Sequence, residues 1–152
     1  MGSSAICLIP VDPEYAPDES ARTRAENRLR EFVVRLGKLE SQLTDQVQFI
    51  HCGGGRFISV SCPSCGQEIS MDDWHDWMDH DYQDGGYRLS THTIACCFAQ
   101  HRLTELVWDP PCGFARYSLQ AWDPQIESLT PEIRQELETI LGTPLREFPR
   151  QA

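Results

Sequence analysis

What this sequence lacks narrows it first. No apolar run approaches the roughly 18 residues that a membrane-spanning helix needs. The opening MGSSAICLIP has no basic segment ahead of a long apolar one, so it does not read as a secretion signal. Ten glycines and ten prolines are scattered rather than clustered, which excludes repeats and low-complexity linkers. Positive charge is scarce: 13 Lys and Arg stand against 23 Asp and Glu, a net charge of −10. Nucleic-acid binding draws its affinity from cations that displace condensed counterions. This balance argues against it, and favours a basic protein as partner.

What is present fits one domain over residues 1–152. Hydrophobic content of 40% and charged content of 24% are ordinary globular values, and a chain this long buries a real core without disulfides. Seven cysteines, an odd number, do not suit a pure disulfide framework. With no signal in view, they are expected in a reducing cytoplasm, as thiols or metal ligands.

The patterning predicts α+β. AICLIPV reads as a first strand, and Asp18 or Ser20 is placed to cap a helix. Small or apolar residues at Ala21, Ala25, Leu29, Phe32, Val33, Leu36, Leu39 and Leu43 form a helical stripe. Its outer face carries Arg22, Arg24, Arg28, Arg30, Arg35 and Lys38, a solvated helix face. VQFIHC and RFISVS flank Gly53 to Gly55 and suggest a hairpin. FARYSLQAW alternates as a strand. Thr130, Pro131 and Glu132 open a helix lined by Ile133, Leu137, Ile140 and Leu141 and closed by Gly142 and Pro144. The expectation is a small antiparallel sheet with two packed helices and an inserted ribbon, residues 62–101, holding a short acidic helix.

Chemistry concentrates in SVSCPSCGQEIS and TIACCFAQH. The first has Cys62 and Cys65 two residues apart, the second Cys96 and Cys97 side by side. Four thiolates closing a tetrahedron are the ligand set of a structural zinc. Adjacent cysteines on a regular strand point to opposite faces, so the chain must bend at Cys96–Cys97. Otherwise His101, or His92, substitutes for one thiolate. A redox dithiol needs a helix starting at the motif, whereas here the helical pattern starts only near Ser70. His75 and His80, five apart, lie about 140° around a helix and do not make a one-face metal pair.

Between the two cysteine pairs, SMDDWHDWMDHDYQ reads as a helix with two faces. Met71, Trp74, Trp77, Met78 and Tyr82 gather on one side, with Asp72, Asp73, Asp76 and Asp79 on the other and Asp81 intruding on the apolar arc. The tryptophans anchor the helix to the core. Alternatively Trp74 and Trp77 join the four aspartates in a face that docks a partner. From Cys62 to His101 there are seven acids against Arg88 alone, a ribbon that repels phosphate. WDPPCGFARY offers Cys112 as a nucleophile if His92 or His101 lies near; a small buried cysteine entering a strand is the plainer reading.

The segments LIPVDPEY, FIHCGGGRFISVSCPSCG, CC, LTELVWDPPCGFARYSL, WDP and ILGTPLR, in that order, resemble a group of bacterial proteins carrying a CPxCG … CC … GFAR pattern. Where a second metal knuckle has glycine after its cysteines, this chain has Phe98. The resemblance implies a small cytosolic bacterial protein with a zinc-ribbon-like element, and brings no catalytic residues. Three functions follow. The first is a non-catalytic acidic binding protein, in its most concrete form an immunity protein or antitoxin that blocks a basic toxin such as a nuclease. The second is a thiol or zinc hydrolase using Cys112 or an open metal position. The third, a zinc-ribbon nucleic-acid binder, is opposed by the charge.

Overall fold

The structure, a computed structural model, describes residues 3–33, 37–51, 53 and 58–151. In chain order the elements begin with β1 (Ser4–Pro10), α1 (Glu19–Phe32), β2 (Lys38–Ile50), β3 (Ser59–Ser61) and α2 (Met71–Asp81). Four two-residue strands follow: β4 (Tyr82–Gln83), β5 (Gly86–Tyr87), β6 (His92–Thr93) and β7 (Gln100–His101). After a 3-10 turn at Leu103–Glu105 come β8 (Val107–Asp109), β9 (Gly113–Trp122), α3 (Pro131–Leu141) and β10 (Leu145–Gln151). The fold is α+β, with three α-helices among the described residues, as expected. No helix among the described residues is long and apolar enough to cross a membrane.

Successive side chains of a strand face opposite ways, and β1 is apolar on both faces. Ile6 and Leu8 join one core cluster, Cys7 and Ile9 another. Such a strand belongs in the middle of a sheet, and the order is β10-β1-β9-β2, antiparallel throughout. β1 and β2 therefore run parallel, bridged by α1; β9 and β10 do likewise, bridged by α3. This is the β-α-β-β-α-β, or split βαβ, plan. Both helices cover one face. Ala21, Ala25 and Leu29 of α1 and Ile133, Leu137 and Leu141 of α3 pack on Ile6, Leu8, Tyr117 and Leu119. Arg28 and Glu136, 2.6 Å apart, link the helices at the surface.

The caps form where the sequence places them. Asp18 accepts from the Ala21 N–H at 2.8 Å, Thr130 from that of Ile133 at 3.3 Å, and Gly142 ends α3 in the left-handed region, φ 78°. Two expectations are corrected. The helical stripe ends at Phe32, with Val33 already extended, and Leu39 and Leu43 lie in β2. Leucines four apart satisfy the strand period as well as the helical one, so the stripe continued past the true stop. Leu36 and Arg35 lie outside the described residues. Among the described residues the VQFIHC–RFISVS hairpin does not form either, because β2 pairs with β9 and β3 with β8. Gly53 instead bridges to Gln151 at φ 81°, where an added Cβ would sit 1.8 Å from the Gln151 carbonyl oxygen. Gly54, Gly55 and Cys52 lie outside the described residues.

β2 and β9 are neighbours that a tight turn could join. The chain instead leaves the sheet between them, runs through the ribbon, and returns. β3 and β8 form the stem of this excursion, which contains residues 62–101. A separate apolar cluster docks it on the sheet: Val47 of β2 and Phe114 of β9 meet Val60, Ile69, Trp74, Ile94, Leu103 and Trp108. Phe49 packs against Phe114 and Trp108, with ring centroids 5.1 and 5.5 Å away.

Candidate metal centre

The two cysteine segments fold as matching turns. In the first, the Cys62 N–H donates to the Gln67 carbonyl at 2.9 Å and the Gly66 N–H to the Cys62 carbonyl at 2.8 Å. In the second, the Ile94 N–H donates to Ala99 at 2.9 Å and the Phe98 N–H to Ile94 at 2.8 Å. Position by position, Cys65 matches Cys97, and Gly66 at φ 79° matches Phe98 at φ 59°. The position of Cys62 is taken by Ile94, which is buried in the ribbon core. Its thiol is replaced by that of Cys96, one residue before Cys97. Cys96 and Cys97 thus sit in a turn between β6 and β7 rather than on a strand, and the bend that lets neighbouring side chains converge is the turn itself.

All four sulfurs lie within 4.8 Å of one another. Cys62 and Cys97 are 3.7 Å apart, Cys96 and Cys97 3.9 Å, and Cys65 and Cys96 3.1 Å. A metal about 2.3 Å from each of four thiolates sets them about 3.8 Å apart. Two of these separations match that edge, and the third, 3.1 Å, needs to open by about 0.7 Å. A disulfide would bring sulfurs to about 2.05 Å, and the four thiols are free. No helix begins at Cys65, since the next one starts at Met71, so the dipole that activates a redox dithiol is missing.

Electrostatics within the quartet favour a cation. Burial raises the Cys62 thiol, but the N–H groups of Cys65 and Ser64 and the thiols of Cys97 and Cys96 outweigh it and bring Cys62 down to about 6. Cys96 is pushed up to about 12, first by its hydrogen bond with Cys65 and then by burial. One thiolate forms readily and the next protons are held against it. A metal ion that takes four thiolates releases those protons.

His101 and His92 lie outside the cluster of four sulfurs. The His101 Nε2 lies 2.8 Å from Ser64 Oγ and its Nδ1 3.2 Å from Glu105 Oε1. It therefore braces the first turn from the second, a positioning role that spacing alone does not reveal. The Arg102 N–H and then His101 hold the Glu105 carboxyl below the usual carboxylate range. His92 turns away toward Asp81, with its Nε2 3.1 and 3.0 Å from the two carboxylate oxygens.

The acidic helix divides as its sequence suggests, with one correction. Asp72, Asp73, Asp76 and Asp79 are exposed, and Ser70 caps the helix by accepting from Asp73 N–H at 3.2 Å. Trp74 is 8% exposed and packs edge-on against Trp108 at 5.5 Å. It is an anchor and cannot face a partner. Trp77 is half-buried, stacked on His92 at 5.4 Å. Beside the cysteines lies a shallow cleft of about 270 Å³, lined by Glu68, Ile69, Asp73, Trp77, Ile94 and Cys96 among others.

Cys112 is fully buried at the start of β9, its thiol 3.5 Å from the Pro110 carbonyl. A nucleophile must meet its substrate, and this thiol is closed off. Comparison with known proteins finds no matching family model, curated protein or solved structure.

Proposed function

We propose that Cys62, Cys65, Cys96 and Cys97 hold Zn2+ as a structural ion. The ribbon it closes then presents an acidic face to a basic protein partner in the cytoplasm. In its most concrete form this chain is an immunity protein that neutralises a basic bacterial toxin such as a nuclease. Zinc is the ion that four thiolates in a tetrahedron suit best. The observation that carries the partner reading is the layout of α2. Trp74 fixes one side to the core, and Asp72, Asp73, Asp76 and Asp79 stand in solvent on the other. Glu68 and Asp73 flank the cleft walled by Trp77, a combination of carboxylate and aromatic ring suited to a Lys or Arg side chain.

Two measurements test this. Metal analysis of protein purified under reducing conditions should return zinc that is lost in Cys62→Ser/Cys65→Ser. A preparation free of metal would overturn the zinc assignment. For the partner, affinity capture from the native host at low salt should recover a basic protein. Repurified, that protein should bind at least tenfold more weakly to Asp72→Lys/Asp76→Lys/Asp79→Lys, and more weakly as salt rises. A partner indifferent to both charge reversal and salt, or no partner at all, would overturn it.

A further inference from the structure

A second convergence of ligand atoms lies at the other end of α2. Asp81 ends the helix on its apolar side, and its carboxylate is wholly buried, at 0% side-chain exposure. His80 Nδ1 lies 3.2 Å from Asp81 Oδ1, and His92 Nε2 3.0 Å from Oδ2. These three ligand atoms all fall within 4.8 Å of one another. Ser90 Oγ also donates to Oδ1, and the ring of Trp77 lies against His92 at 23° between planes. The two histidines are the ion-pair partners of Asp81, and no Lys or Arg among the described residues pairs with it.

A buried carboxylate without a lasting counter-charge is costly. Imidazoles in the neutral form donate one N–H each but bring no charge, and the neutral form is also the one that ligates metals. We infer that His80, Asp81 and His92 form a second site for a divalent transition-metal ion of the zinc type, distinct from the cysteine quartet. Ligand atoms about 2.0–2.2 Å from such an ion stand about 3.4 Å apart in a tetrahedron, so 3.0–3.2 Å needs little adjustment. Imidazole and carboxylate together suit zinc rather than calcium or magnesium. Ser90 and Trp77 supply the outer contacts that fix a carboxylate and an imidazole in place. The exposed side of His80, 66% accessible, gives the ion its way in. Three protein ligands also leave a position open to water, unlike four thiolates.

The test is metal stoichiometry. Full-length protein equilibrated with Zn2+ and freed of unbound ion should carry two zincs per chain, and His80→Ala/His92→Ala one. Since His92 is mostly enclosed, His80→Ala alone serves as the variant expected to fold normally, and should weaken the second zinc at least tenfold. Titration with Co2+ separates the sites: the thiolate charge-transfer bands should persist in both histidine variants and vanish in Cys62→Ser/Cys65→Ser. A wild-type protein that saturates at one zinc, with the thiolate signature, would overturn the inference and leave the cysteine site standing. Two zincs retained in His80→Ala/His92→Ala would overturn it as well.

Discussion

Cys7 and Asp81 are both buried, yet their titrations move in opposite directions. Asp81 is sealed, and burial alone would raise its carboxyl, yet hydrogen bonds from Ser90, His92 and His80 hold it below the usual carboxylate range. Cys7 faces the sheet's second apolar cluster, and burial pushes its thiol up to about 12 despite the nearby charges of Arg150 and Arg146. The sign of the consequence follows from proton counting. Below about 9 the thiol is protonated in both the folded and the unfolded chain, and it contributes nothing to the pH dependence. From about 9 to about 12 the unfolded chain releases this proton and the folded one keeps it. Stability then falls by about 1.4 kcal/mol for each pH unit. Urea unfolding of wild type and Cys7→Ala between pH 8 and roughly 11 checks this. The variant is expected to be less stable at pH 8 but to lose less stability as pH rises, because tyrosines and other thiols titrate in both proteins. Parallel slopes would show that Cys7 ionises as freely inside as outside.

Among the elements, legibility tracked how many physical signals agreed. α3 has a cap, a proline at its first turn, an apolar stripe and a terminal glycine, and it forms where all of them say. The end of α1 has only periodicity to mark it, and Leu39 and Leu43 suit both periods. For the cysteine cluster, the four residues that the structure brings together were legible from residue type. The geometry was not, because Ile94 stands where a repeat of the first turn would have its leading cysteine. Nor did spacing reveal the His80, Asp81 and His92 cluster. Asp81 was visible as an acid on an apolar arc with His80 beside it, but His92 arrives through β6, eleven residues on. Phe98 marks the remaining tension in the turn. It is 79% exposed and sits at φ 59°, a conformation that Gly66 adopts freely in the matching turn. A side chain there costs roughly 1–2 kcal/mol, of which the entropy of an unfolded glycine returns about 0.5–1 kcal/mol. Phe98→Gly is therefore expected to raise stability by about 0.5–1 kcal/mol in urea unfolding, with zinc affinity equal or higher in a chelator competition. A loss above about 1 kcal/mol would mean that the exposed ring holds the turn in a way its backbone does not.

At the scale of the whole molecule, the largest apolar clusters among the described residues serve two different parts. The cluster under α1 and α3 contains no residue from the excursion between β2 and β9. The ribbon's own cluster reaches the sheet through Val47 and Phe114. The ribbon's strands are two or three residues long, too short to hold by pairing alone. A structural zinc supplies about 10–16 kcal/mol of binding energy near neutral pH, far more than such strands supply. On the zinc proposal, removing the ion with a strong chelator should therefore melt the ribbon and spare the sheet. Hydrogen exchange is expected to lose protection across residues 58–69 and 92–109 while β1, β9, α1 and α3 keep theirs. Trp74 and Trp108, which pack on each other within the ribbon, should report the same event as a change in fluorescence at an unaltered sheet signal. Because the acidic face of α2 is oriented by Trp74, binding of the proposed basic partner should fail in the chelated protein although most of its fold survives. Protection lost at once from every element would show instead that the sheet depends on the ribbon, and that Val47 and Phe114 couple the two clusters into one cooperative unit.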